Sequence, residues 1–266
     1  MIDGDDTIKE KIYNIQLQQL YEMRKLNHPN PLVKFGNKVF SQSDEDGITL
    51  EICKRLKLEK GTFIEFGVAN GMENNTLALL ACEWKGEWFG GENLLFDTTS
   101  SSRLNFSKEW ITCENIFQLA SSAIKRLNNN SLDLISLDLD GNDFYFIKKL
   151  LTKGVLPKIF IAEYNAKFIP PIHFSIDYNA ENHWEGDDYQ GASLTSLTSL
   201  FHEYNYKLVC CNSATGANAF FVKREFEDQF KDVPNNIEDI FVPMNYNLYN
   251  YFGHKSSIKT IMKCIS

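Results

Sequence analysis

No apolar run in this 266-residue chain is long enough to span a membrane, and its 6 cysteines include no CxxC pair. The first absence argues against a transmembrane helix. The second removes the usual spacing mark of a zinc or dithiol site. Cys53, Cys82, Cys113, Cys210 and Cys211 all fall in predicted helices or strands, so they read as buried thiols of a reducing compartment. There is also no basic stripe. The net charge is −8 and the pI about 5.2, which argues against nucleic acid as the main partner. Met1 to Asp6 is acidic and lacks the apolar core of a secretory signal, so a cytoplasmic location is expected. Neither an internal repeat nor a clear linker divides the chain.

What is present is apolar content of 43%, enough for one sizeable core. Ile8 to Leu26 reads as an amphipathic helix with Ile12, Ile15, Leu20 and Met23 among its apolar positions, ended by Pro29 and Pro31. A second helix is predicted over Asp44–Leu56 with Ser43 as N-cap. Strands then alternate with helices: strand Phe63–Phe66, helix Asn74–Cys82, strand Glu87–Gly90, strand Trp110–Cys113, helix Leu119–Leu127, strand Leu132–Leu137, helix Phe144–Leu151 and strand Ile159–Ala162. This alternation predicts a parallel sheet with helices on both faces. Residues 165–190 break the rhythm and are aromatic and polar, which suits an ordered lid. Helix Leu194–His202 follows, then strands Tyr206–Cys211 and Asn218–Val222. The tail from Glu225 onward has no clear period.

Chemistry concentrates at the predicted strand ends. Strand one runs into Glu65-Phe66-Gly67-Val68-Ala69-Asn70-Gly71, whose glycines allow close backbone approach to a ligand. A carboxylate at this point repels a pyrophosphate and welcomes a cationic group. Glu92-Asn93 follows the second strand, where ribose hydroxyls find a carboxylate, and Glu114-Asn115 follows the predicted third. Asp138-Leu139-Asp140 closes the fourth strand and Glu163-Tyr164-Asn165 the fifth. Asp138, Asp140, Glu163 and Asn165 would then share one rim, as oxygen ligands of Mg²⁺ or Mn²⁺ or as a general base. Gln42 precedes the second helix with no capping role of its own. His173 and His183 lie in the lid, where either could serve as a base.

The runs SQSDEDG, FIEFGVANGMENNT, ISLDLDGND, IAEYN and YQGASLTSL…ANAFFV occur in this order between residues 38 and 223. Together they resemble a bacterial family of S-adenosylmethionine-dependent methyltransferases near the FkbM type, often encoded with surface-polysaccharide (capsule) genes. The resemblance implies an α/β, class I methyltransferase Rossmann-like sheet of seven strands with the last antiparallel. It divides the chain into an N-terminal helical extension (1–37), a catalytic domain (38–223) with the lid insert 165–190, and a C-terminal tail (224–266). It places Glu65, Gly67 and Gly71 at the methionine end of S-adenosylmethionine, Glu92 at the ribose, Asn115 near adenine and Asp138 beside the transferred methyl, with Gln42, Asn75 and Asn93 as further cofactor contacts. It also implies a cation held by Asp138, Glu163 and Asn165, as in metal-dependent O-methyltransferases of this fold.

The function implied is O-methylation, less readily N-methylation, of a small sugar- or phosphate-bearing acceptor in capsule modification, extending to the methyl phosphoramidate pathway. A different reading takes Asp138-Leu139-Asp140-Gly141 as the nucleophile loop of a Mg²⁺-dependent phosphohydrolase of the haloacid dehalogenase type, with Gly186-Asp187-Asp188 supplying later ligands. A third is a non-catalytic S-adenosylmethionine-binding partner, with the N-terminal helix and aromatic tail mediating homo-oligomers.

Overall fold

The computed structural model describes residues 4–128, 132–245 and 258–265. Residues 1–3 of the expected N-terminus and 246–257 of the aromatic tail lie outside the described residues. The elements follow in the order α1 (Gly4–Asn27), α2 (Glu45–Arg55), β1 (Thr62–Phe66), α3 (Leu77–Ala81), β2 (Lys85–Gly90), β3 (Leu104–Lys108), α4 (Ile116–Arg126), β4 (Leu134–Leu137), α5 (Asp143–Thr152), β5 (Ile159–Glu163), α6 (Leu194–Glu203), β6 (Tyr206–Cys211), β7 (Asn218–Lys223) and α7 (Ile258–Ile265).

The seven strands form one sheet in the order β3-β2-β1-β4-β5-β7-β6. Pairing is parallel from β3 through β5, and β7 runs antiparallel to both its neighbours. The expected α/β, Rossmann-like sheet of seven strands with a reversed last strand is therefore present. The central strands TFIEF, LISL and IFIAE are buried almost throughout, as a sheet covered on both faces requires. Right-handed crossovers that turn one way from β1 to β2 and the other way from β4 to β5 put helices on opposite faces. The core sits on both sides of these strands, with Phe63, Phe66, Trp88, Phe89, Phe160, Phe201 and Phe221 fully enclosed.

Several boundaries differ from the sequence reading. The third strand is Leu104–Lys108, and Trp110–Cys113 is a loop. An edge strand buries few positions, so its alternation is faint. The first helix is seated through Leu17 and Tyr21, whereas Ile12, Ile15, Leu20 and Met23 face outward. Asp44, not Ser43, occupies the N-cap of α2. Cys53, Cys210 and Cys211 are buried thiols as expected, but Cys82 is exposed and Cys113 half-buried. The tail packs back on the core through Phe230, Val233, Ile240 and Val242. Among the described residues no helix is long and apolar enough to cross a membrane.

Candidate functional site

The chain leaves β1 toward one edge of the sheet and β4 toward the other, so a cleft opens beyond their carboxyl ends. Phe66 and Leu137 are in register, and the residues that follow, Gly67 and Asp138, face each other across the mouth. Gly67 has φ +97°, and a Cβ there would lie 1.5 Å from the Asp138 carbonyl oxygen. Only glycine lets the two turns come so close.

Two contiguous cavities fill the cleft, about 370 Å³ and about 440 Å³, sharing Gly67, Ala69, Asp138, Asp140 and Trp184. The first runs along β2 and β3 and is lined by Glu92, Glu109, Trp110, Ile111, Leu139, Phe146 and His183. The second lies toward β5 and β7 and is lined by Gln42, Glu65, Gly71, Glu73, Asn75, Glu163, Gln190 and Asn218. Seven carboxylates thus face the cleft (Glu65, Glu73, Glu92, Glu109, Asp138, Asp140, Glu163), and among the described residues no lysine or arginine lines it.

Glu65 is buried and its side chain is bound to the turn that opens α3. Its Oε1 accepts from the Asn75 N–H at 2.9 Å, and its Oε2 from the Thr76 N–H at 3.2 Å and from the Thr76 hydroxyl. The carboxylate therefore holds the start of α3 while lining the second cavity. Burial pushes its pKa up to about 7, against the lowering effect of those hydrogen bonds. Asn75, expected to touch a ligand, is likewise committed: its N–H binds Glu65 and its Nδ2 donates to Ser136 Oγ at 3.1 Å.

Beyond β4 and β5, carboxylate oxygens of Asp138, Asp140 and Glu163 lie within 4.8 Å of one another. Asp138 and Glu163 interact side chain to side chain. Burial first, then mutual repulsion with Asp140 and Asp143, raises both well above the usual carboxylate range. Glu163 Oε2 is buried and has no hydrogen-bond partner. Asp140 sits at φ +53°, on a loop stapled by Asp143, whose carboxylate accepts from Leu139 N and Gly141 N at 2.8 Å each. Asp143 is a positioning residue that the sequence reading passed over. Its signal was the Asp-Gly-Asn-Asp turn itself.

Asn165 is not part of this cluster. Its Nδ2 donates to Asp188 O and Gln190 O, at 3.0 and 3.1 Å, and its Oδ1 accepts from Lys167 N. It clamps the two ends of the 165–190 insert and lines neither cavity. Asn115 is also a correction. The third strand ends at Lys108, so Glu109, Trp110 and Ile111 reach the cavity, while Asn115 folds back onto Thr112 N and Trp110 O. Asn93 accepts from Lys108 Nζ at 3.0 Å on the surface and lines neither cavity. His183 borders the first cavity, whereas His173 borders neither. Gln42, Glu92 and Gly71 line the cavity walls. Gln42 is carried by three consecutive buried acids. Asp46 takes the N–H groups of Val39, Phe40 and Ser41. Asp44 ties α1 and the 213–214 turn to α2 through Tyr21, Ser213 and Ala214, and Glu45 holds Ser43 and Asn218.

The insert is an ordered cover. Trp110 Nε1 donates to Ala180 O, Asn142 exchanges hydrogen bonds with Asn179, and Tyr145 OH donates to Ile176 O. Phe168 and Phe174 stack at 3.9 Å within it. Asp187 and Asp188 belong to this cover. Asp188 pairs with Lys167, and neither aspartate lines the cleft.

No protein-family model matches the chain, and no curated protein matches it either.

Proposed function

We propose that this protein transfers the methyl group of S-adenosylmethionine to a hydroxyl of a small sugar-like acceptor. The observation that carries the reading is a single carboxylate-lined cleft at the switch point, mainly polar at one end and at the other walled by Trp110, Ile111, Leu139 and Phe146 beside Glu92 and Glu109. That division suits a ligand with a cationic amino-acid end, a ribose and a flat base. Glu65 would face the amino group, Glu92 the ribose hydroxyls, and the apolar walls the adenine. A diphosphate fits poorly, because no cation lines the cleft among the described residues.

S-adenosylmethionine supplies an activated sulfonium methyl, so the chain's task is alignment and proton removal. The insert forms one wall of the cleft through Ala180, Asn182, His183, Trp184 and Gln190. Asp138, whose proton affinity is raised by burial and by the neighbouring Asp140, would take the acceptor's proton as the nucleophile attacks. Asp138, Asp140 and Glu163, all oxygen donors, are the residues that would hold Mg²⁺ or Mn²⁺ if this end of the cleft took a metal ion in place of an acceptor group. The net charge on the cleft favours a neutral or cationic acceptor over a phosphate ester. The phosphohydrolase reading loses support because Asp187 and Asp188 do not reach Asp138's cavity.

Isothermal titration calorimetry with adenosylhomocysteine, with NAD as comparator, tests the proposal. Saturable binding of adenosylhomocysteine alone is expected. Binding of NAD in its place would overturn it.

A further inference from the structure

The second cavity contains two acceptors that nothing satisfies. Glu163 Oε2 is buried without a partner, and so is Asn218 Oδ1. The two residues are direct cross-strand partners on β5 and β7, and both line the same cavity. Asn218 is 2% exposed, and its Nδ2 donates to Glu45 Oε1 at 3.2 Å. That bond fixes the amide orientation, because a carboxylate can only accept. The unpartnered oxygen is therefore a built feature, held in place by one of the buried acids of α2. A buried acceptor left unmade is costly, so such a pair points to a donor-rich ligand. The exposed Asp140 carboxylate lies within 4.8 Å of Glu163's and supplies a third acceptor.

An ammonium group offers three donors and no acceptor. We propose that this end of the cleft is a primary-ammonium subsite formed by Glu163 Oε2, Asn218 Oδ1 and the Asp140 carboxylate, so that the methyl acceptor is an amino-bearing molecule such as an amino sugar. The inference rests on the methyltransferase reading above and names its substrate class. One feature of the pair favours an ammonium group over a divalent ion. One of the two unmatched oxygens is a neutral amide, which suits a hydrogen-bond donor without demanding further charge. An ammonium held in its charged form has no lone pair. It is thus the handle, and a neighbouring hydroxyl is the group methylated.

The test is calorimetric titration of the full chain, saturated with adenosylhomocysteine, with glucosamine, N-acetylglucosamine, glucose 6-phosphate, and MgCl₂ or MnCl₂ alone. Glucosamine is expected to bind at least about tenfold more tightly than its N-acetyl analogue, and glucose 6-phosphate more weakly than either. Glu163→Gln, checked by retained adenosylhomocysteine binding, should erase that preference. Equal affinity for the two amino-sugar forms, preference for the phosphate, or saturable metal binding without a glucosamine preference overturns the inference and leaves the methyl-donor reading standing. Failure to bind adenosylhomocysteine at all brings down that reading, and this inference with it.

Discussion

Replacing Glu65 by glutamine isolates the charge on which the donor half of the cleft depends. Burial raises the Glu65 pKa to about 7, so the carboxyl is about one-tenth ionised at pH 6 and about nine-tenths ionised at pH 8. Only the ionised form pairs with the ligand's ammonium. Binding therefore expels the proton, and affinity rises with pH. Between pH 6 and pH 8 adenosylhomocysteine should bind about tenfold more tightly, or about 1.4 kcal/mol. Glu65→Gln keeps an oxygen for Thr76 but turns an NH₂ toward the Asn75 N–H, leaving one donor unmatched. The expected loss of stability is about 1–3 kcal/mol. The loss in binding at pH 8 is the worth of a charge-assisted hydrogen bond, about 1.5–3 kcal/mol, or roughly 10- to 150-fold. Comparing the pH profiles of both proteins by calorimetry cancels the ligand's own titration. A variant profile as steep as that of the wild type would refute the assignment of the titrating group, even if the variant bound more weakly.

The unliganded protein should be more stable at pH 5 than at pH 7.5. Asp44, Asp46 and Asp143 are raised to about 6 by burial, so the folded state holds protons the unfolded chain has released, and stability falls as pH rises through this window. Each group contributes about 1.4 kcal/mol over this interval, and a Tm that rises from pH 5 to pH 7.5 would contradict the burial described. Gly67→Ala drives a Cβ into the Asp138 carbonyl and should cost more than about 4 kcal/mol or prevent folding, as read by circular dichroism. Asn165→Ala should free the two ends of the insert and speed its cleavage in limited proteolysis while the core stays protected. An unchanged cleavage rate would mean that the clamp is not what orders the cover.

The parts of the fold carried by buried, regularly patterned segments were legible. Strands such as TFIEF and IFIAE declare themselves by continuous apolar runs, and the acids that end them follow from the chain order alone. Strand β3 was misplaced because LNFSK buries little besides Leu104, whereas Trp110 and Ile111 mimic a strand while belonging to a loop over the cleft. The rim carboxylates Asp138, Asp140 and Glu163 were legible as a group. Asn165 was misassigned because its side chain is claimed by Asp188 and Gln190, carbonyls of the far end of the insert. The burial of Asp44, Glu45 and Asp46 could not be read locally, since the partners that justify two of them, Ser213, Ala214 and Asn218, lie some 170 residues away. Asn218 escaped notice for the same reason. Within its strand it is one polar residue before an apolar run, and its meaning depends on its pairing with Glu163.

A crystal structure of the protein with adenosylhomocysteine tests the central claim most directly. The account predicts the amino-acid end beside Glu65 and Gly67, the ribose at Glu92, and the adenine against Ile111 and Leu139, with the Glu163–Asn218 end left open for the acceptor. A ligand seated outside this cleft, or one whose amino group makes no approach to the Glu65 carboxylate, would contradict it.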